Sequence, residues 1–366
     1  MKNKKEQKKT KILFFLPNCL GGSEHVLITI AKHLDQKRFD IIFVIVSSKT
    51  NNVLDILPKG YNYLHIKVRN IWEFSIIKLV CLMRREKPDI VFSSLIYLNI
   101  RIIIAAKIVG KIKIIIRNNI PLHKVFSSPI KSFNHFMMKH LYKYADVIIA
   151  QQEEMKQEIV DYCRVTPDKV KVLQNPLDTE LIDSNIKEPS PFPKETEKQI
   201  KFIWTARVTY EKGFDILIKA FQIVHIQIPN SHLYILGKYS ENDQFYQSLI
   251  KDIEEFHLKD FIHFIGYDKN PHRWVKNSDC FVQPSRIEGL PNALVEAMYI
   301  GIPVVATRCI PVINRIVKDG YNGYIVNPEN IRDLADAMIK ALELKNFTIT
   351  YKSATIKEFQ QLFEQL

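Results

Sequence analysis

Ser285-Arg286-Ile287-Glu288-Gly289-Leu290-Pro291-Asn292-Ala293-Leu294-Val295-Glu296-Ala297 follows a short apolar run, Cys280–Val282, and opens a helical pattern, Asn292–Tyr299. Continuous apolar runs of this length read as buried parallel strands, so the stretch is a strand exit, a loop and a helix start. Gly289 lets the backbone come near a ligand. Free N–H groups at a helix start suit a phosphate. Glu288 and Glu296, eight residues apart, are carboxylates able to accept strong hydrogen bonds from sugar hydroxyls. On spacing alone, a capped helix with two exposed glutamates fits equally well.

The same unit repeats outward along the chain. Strand Lys201–Trp204 runs through Thr205-Ala206-Arg207-Val208-Thr209-Tyr210-Glu211-Lys212-Gly213-Phe214 into helix Phe214–His225. Arg207 and Lys212 there could face a diphosphate and stabilise the charge of a departing nucleoside diphosphate. Taken alone, a surface pair of Arg207 with Glu211 serves as well. Further strands are His232–Leu236, Ile262–Ile265 and Pro303–Ala306, with a helix over Asp243–Phe256. The first half repeats the pattern with strands Ile12–Leu16, Ile41–Val46, Ile90–Phe92, Ile112–Ile116 and Val147–Ala150, and helices over Glu24–Leu34 and Phe74–Arg85. Such alternation predicts an α/β fold of doubly wound sheets.

Pro189, Pro191 and Pro193 among charges mark a linker. The expected domains are 1–180, a linker 181–199, a second domain 200–345, and a segment 346–366. In that last segment Phe359, Leu362, Phe363 and Leu366 fall on one helical face. Two α/β halves joined by a linker are expected to face a ligand-binding cleft. Asn18-Cys19-Leu20-Gly21-Gly22-Ser23-Glu24 is a third strand-to-helix turn. It is not G-x-G-x-x-G, so a dinucleotide fingerprint is not supported.

The 366 residues carry a net charge of +13. Residues 1–180 hold 30 Lys and Arg against 16 Asp and Glu, and the remainder 22 against 23, so the excess is confined to the first half. A basic half implies an anionic partner or a solvated Lys-rich surface. Cysteines 19, 81, 163, 280 and 309 suit neither zinc nor a disulfide framework and fit a reducing cytoplasm. Ile12–Leu16 is too short for a signal segment, and Arg101, Lys107, Lys111 and Lys113 interrupt the apolar stretch Ile100–Ile116, so no membrane-spanning helix is expected.

Together these blocks resemble the retaining GT-B glycosyltransferases of family four (glycosyl transferases group 1). The resemblance rests on Glu288 and Glu296 in their Ser-x-x-Glu-Gly-Leu-Pro-Asn-x-Leu-x-Glu-Ala setting and on Arg207 with Glu211-Lys212-Gly213-Phe214. It rests also on Asn175-Pro176-Leu177-Asp178, Gly301-Ile302-Pro303-Val304-Val305-Ala306, Asp319-Gly320-Tyr321-Asn322-Gly323 and Gly21-Gly22-Ser23-Glu24. It implies two Rossmann-like domains facing a cleft. The expected activity is transfer of a hexosyl or N-acetylhexosaminyl group from a nucleotide-diphosphate sugar, expected to be UDP-linked, with retention and without metal or other cofactor. Arg207 and Lys212 would bind the diphosphate, Glu296 the ribose and Glu288 the transferred sugar. Gly289, Leu290, Pro291 and Asn292 would support sugar and phosphate, and Gly22 would approach the phosphate from the first domain. The segment 346–366 would return to that domain.

Departures from the family pattern are Gly237-Lys238-Tyr239 in place of Gly-x-Gly, and Asn314-Arg315-Ile316-Val317 where relatives often carry a glutamate. Many relatives also place a histidine near the sugar. Here Arg117 and Asn118 leave that strand, with His123 further on, and these three are the candidate acceptor-side or catalytic residues. A sugar-nucleotide epimerase or a non-catalytic binding protein on the same fold is the alternative; no nucleic-acid module is recognisable.

Phe126–Tyr144 intersperses aromatics and methionines with Lys131, Lys139 and Lys143. It reads equally as a core-facing helix and as a basic amphipathic segment at a membrane surface. With the basic first half, it leads to the expectation of a cytoplasmic protein on an anionic inner leaflet, acting on a lipid-linked glycan in polysaccharide or lipopolysaccharide assembly.

Overall fold

The structure, a computed structural model, describes residues 8–17, 22–47, 57–68, 75–122, 129–345 and 356–366, together with Leu54. The chain divides into two compact units, Met1–Pro176 with Ser353–Leu366, and Leu177–Lys352.

The first unit has a parallel sheet of seven strands: β1 (Thr10–Pro17), β2 (Phe39–Ser47), β3 (Asn62–Lys67), β4 (Ile90–Ser93), β5 (Lys113–Arg117), β6 (Val147–Ala150) and β7 (Val170–Val172). They lie in the order β3-β2-β1-β4-β5-β6-β7. Side chains alternate across a strand, so each apolar strand feeds two cores. Leu13 and Phe15 join Val44, Val91, Ile114 and Ile148 on one face. Ile12, Phe14 and Leu16 join Phe43, Phe92, Ile115 and Ile149 on the other. Helix Ile356–Glu364 caps that second face, with Phe363 ring centroids 6.0 Å from Phe14 and 5.6 Å from Phe92.

Several elements differ from the sequence reading. Helix Phe74–Arg85 is Ile76–Glu86 among the described residues. The fifth strand is Lys113–Arg117 rather than Ile112–Ile116. β3 and β7 escaped the reading because they are edge strands, short or solvent-facing, and lack a continuous apolar run. The apolar stretch at Ile100 belongs to helix Ile96–Val109, which buries Leu98, Ile100, Ile102, Ile103, Ala105 and Ala106. Among the described residues no helix is long and apolar enough to cross a membrane.

The second unit is a parallel sheet of six strands: β8 (Ile200–Thr205), β9 (Ser231–Leu236), β10 (Ile262–Gly266), β11 (Cys280–Gln283), β12 (Val304–Thr307) and β13 (Gly323–Val326). The order β10-β9-β8-β11-β12-β13 is the doubly wound Rossmann order. β13, again an edge strand, opens on Gly323, where a Cβ would stand 2.1 Å from the Val304 carbonyl oxygen. The stretch read as a linker packs on this unit. Helix Thr179–Asn185 is capped by Asp178, and the Phe192 ring meets Tyr234 and Trp274 edge-on at 4.7 and 4.9 Å.

Candidate functional site

The strand order of the second unit reverses between β8 and β11. Ligands of doubly wound sheets bind beyond the strand C-termini at that point. The loops leaving β8 and β11 are Ala206–Gly213 and Pro284–Pro291, the two blocks singled out in the sequence.

Glycine brings these loops together. Gly213 has φ +70°, and a Cβ on it would lie 2.1 Å from the Pro284 carbonyl oxygen. Only a residue without a side chain tolerates both conditions. The backbone N–H of Arg286 donates to the Glu211 carbonyl at 2.8 Å. With the loops held so, Lys212 Nζ reaches Glu288 Oε1 at 2.7 Å, and Ser285 Oγ donates to the same oxygen at 2.8 Å. Glu288 is 8% exposed. A carboxylate this buried requires the cation and hydroxyl it has.

Arg207, also in the first loop, is exposed and has no ion-pair partner among the described residues, so the expected alternative of a pair with Glu211 is not formed. Behind it Gly237, at φ +145°, lets β9 press on this loop: a Cβ there would stand 1.9 Å from the Ala206 carbonyl oxygen. Gly289 is half-buried, and Leu290 and Pro291 are buried. Helix Asn292–Ile300 follows Pro291 with no side-chain cap; the Asn292 N–H donates to the Leu290 carbonyl at 3.0 Å, and those of Ala293 and Leu294 stand at the helix start beside the loop. Glu296 lies one turn inside this helix and accepts from His272 Nε2 at 3.3 Å.

The principal residue missed in the sequence is Arg286. Its guanidinium donates to Asp215 at 2.7 and 2.8 Å, to Glu329 at 2.5 and 3.0 Å and to the Tyr210 carbonyl at 2.8 Å. It also lies 3.9 Å from the Tyr210 ring centroid. The Asp215 hydrogen bonds, outweighing burial, hold Arg286 still more firmly protonated than a free arginine. Burial pushes the Asp215 carboxyl up, but Arg286 outweighs that and keeps it below its ordinary range. Arg286 thus locks the Lys212 loop, the Glu288 loop and the start of helix Phe214–Gln227 together. His272 was missed as well; nothing in its local pattern distinguishes it. Among the described residues no three His, Cys, Asp or Glu side chains cluster as metal ligands would.

In the first unit Gly22 is exposed at the first position of helix Gly22–His33. Arg117 and Asn118 are buried. Arg117 donates to Ser94 Oγ at 2.7 Å and to Asn175 Oδ1, and its carbonyl accepts from Asn99 at 3.1 Å. Burial brings Arg117 down to about 10, against the pull of Glu24. Asn118 donates to the Ile120 carbonyl at 2.8 Å. The Arg117 side chain ties the loop after β4 to Asn175, and that of Asn118 closes the turn leaving β5. Residues 18–21 and His123 lie outside the described residues. Helix Pro129–Leu141 turns His135 and Met138 inward and leaves Phe133 and Phe136 60% and 59% exposed, so it is core-facing on one side and aromatic on the other.

A doubly wound unit with a lysine–glutamate pair and an uncapped helix start at its switch point belongs to the class of Rossmann-like folds. Family models identify it further. Glycosyltransferase Family 4 matches residues 20–181, and Glycosyl transferases group 1 matches residues 185–358. The chain belongs to this family of glycosyltransferases. An uncharacterized glycosyltransferase of Methanocaldococcus jannaschii is 31% identical over 259 residues, 65% of this chain and 61% of its own. The matched stretch therefore spans less than two thirds of that relative. The Escherichia coli UDP-Gal:alpha-D-GlcNAc-diphosphoundecaprenol alpha-1,3-galactosyltransferase is 24% identical over 361 residues, 92% of this chain and 89% of its own. The crystal structure of Anabaena HepE in complex with UDP and glucose superposes with a TM-score of 0.77 at 18% identity, covering 97% of this chain and 98% of that one. That likeness establishes the GT-B fold, two Rossmann-like domains.

Proposed function

We propose that this protein is a retaining, metal-independent glycosyltransferase. It moves a hexosyl or N-acetylhexosaminyl group from a UDP-sugar to a lipid-linked glycan in surface-polysaccharide assembly. The observation that carries the reading is the Lys212–Glu288 pair at the switch point, beside the exposed Arg207 and the uncapped start of helix Asn292–Ile300. In the transfer, the bond from sugar C1 to the diphosphate oxygen breaks and its electron pair leaves with the nucleoside diphosphate. The acceptor hydroxyl oxygen forms the new bond to C1, and its proton passes to the departing diphosphate oxygen. Arg207, Lys212 and the helix N–H groups meet the charge that grows on the leaving group, the electrostatic work a metal does elsewhere. Glu288 accepts from sugar hydroxyls and Glu296 from the ribose. The donor and acceptor class named for the Escherichia coli relative supports the same choice here.

The basic first half and the outward Phe133 and Phe136, with Lys143 exposed nearby, support peripheral attachment to an anionic leaflet. Two experiments test the reading. Incubation with a nucleotide-sugar panel and polyprenyl-diphosphate-linked acceptors should give an α-linked product; conversion of donor without acceptor would identify an epimerase instead. Sedimentation with anionic vesicles should exceed that with neutral ones and fall with salt. Phe133→Ser with Phe136→Ser should lower it at least fivefold. Equal binding to both vesicle types would remove the membrane from the account.

A further inference from the structure

Glu296 is held by a partner that no family pattern in the sequence announces. His272 is buried, within the six-residue helix Pro271–Lys276. Its two ring nitrogens are both occupied. Asn185 Nδ2 donates to His272 Nδ1 at 2.9 Å, and His272 Nε2 lies 3.3 Å from Glu296 Oε2. A nitrogen that accepts carries no proton, so the neutral ring's single N–H stands on Nε2 and points at the carboxylate. The support beneath it is over-determined. Asn270 Nδ2 donates to the Asn185 carbonyl at 3.0 Å, and Asn270 Oδ1 accepts from the Arg273 N–H at 3.2 Å. Asp268 accepts from the Trp274 indole at 2.8 Å and from Arg273 at 3.0 Å. The Glu296 side chain itself is one third exposed, and such a carboxylate on a helix surface otherwise samples several rotamers.

We infer that His272, its tautomer set by Asn185, is a positioning residue: it fixes the Glu296 carboxylate in the orientation that receives a ribose hydroxyl of the donor nucleotide. This rests on the reading of Glu296 as the ribose ligand. A side chain held in its binding rotamer avoids the ordering cost on association. Because the ribose does not react, the contribution is uniform in ground and transition states and appears in KM rather than kcat.

The test compares a nucleoside diphosphate with its 2′-deoxy and 3′-deoxy forms by calorimetry, taking UDP first and then GDP and ADP. The wild type should discriminate against one deoxy form by about 10- to 100-fold, the range of a hydrogen bond to a charged group. Glu296→Ala should bind both forms equally. His272→Phe, which keeps the ring volume and loses both hydrogen bonds, should reduce the discrimination to threefold or less and raise donor KM about tenfold with kcat within threefold. His272→Gln, whose amide can accept from Asn185 and donate to Glu296, should restore most of both. Full discrimination in His272→Phe together with its loss in Glu296→Ala would overturn the role of His272 alone. Full discrimination in Glu296→Ala would overturn the ribose assignment, and so would binding of none of these diphosphates. Should His272→Phe not fold, His272→Gln decides: retained discrimination supports the inference, and loss to the Glu296→Ala level refutes it.

Discussion

Lys212→Met keeps the side-chain stem and removes the charge that faces Glu288. The lysine side chain is 24% exposed and the glutamate 9%, so the pair lies between a surface ion pair, worth under about 1 kcal/mol, and a fully buried one, whose breakage costs about 3–5 kcal/mol. Ser285 still donates to Glu288 after the substitution. A loss of about 1–2 kcal/mol is therefore expected, roughly 3–6 °C in Tm for a unit of this size. Turnover should suffer more. Removing one preorganised positive donor from developing oxyanion charge lowers kcat about 10²–10³-fold. Differential scanning calorimetry and initial-rate transfer assays read the two effects separately. If Tm falls as calculated while kcat stays within threefold of wild type, Lys212 is only a counter-ion to Glu288, and its place on the diphosphate is wrong.

Gly213→Ala would drive a Cβ into the Pro284 carbonyl and strain a left-handed residue; a loss of about 2–4 kcal/mol in chemical denaturation is expected. Arg286→Lys keeps the charge but cannot make paired bonds to both Asp215 and Glu329, and should cost about 1–2 kcal/mol with a matching drop in Tm. His232 hydrogen-bonds His263 at 3.0 Å; burial, then the neighbours His263, His225 and Lys201, lower it to about 4. A base lowered by folding takes up its proton sooner in the unfolded chain, so its stabilising effect is complete above about pH 6.5 and is lost as pH falls toward 4. The acid limb of Tm against pH should flatten over that window in His232→Phe; an unchanged limb would place the acid sensitivity elsewhere.

The central strands were readable because they are apolar on both faces: Phe14, Phe43 and Phe92 stand side by side in three parallel strands. Edge strands such as Asn62–Lys67 have one solvated face and were not. Helix Ile96–Val109 is apolar around most of its circumference, with Arg101 and Lys107 as its charges, and so shows little period of its own. In the site, Lys212 and Glu288 were legible although 76 residues apart, since each sits on a strand-to-helix loop. Arg286 and His272 were not. Their roles come from partners 71 and 43 residues away for the arginine, and 87 and 24 for the histidine, and no local pattern encodes those meetings. For Arg117 the strand exit was legible and the burial was not.

Phe359, Leu362 and Phe363 belong to the core around Phe14 and Phe92, although some 260 residues or more separate them in the chain. A ribosome delivers the two ends of that core at very different times. At about 5–20 residues per second, synthesis of the intervening second unit takes on the order of 10–35 s, during which one layer of the first sheet lacks its covering helix. The nascent first unit must wait, half-shielded, for helix Ile356–Glu364, and a chaperone that binds aromatic stripes has that interval in which to act.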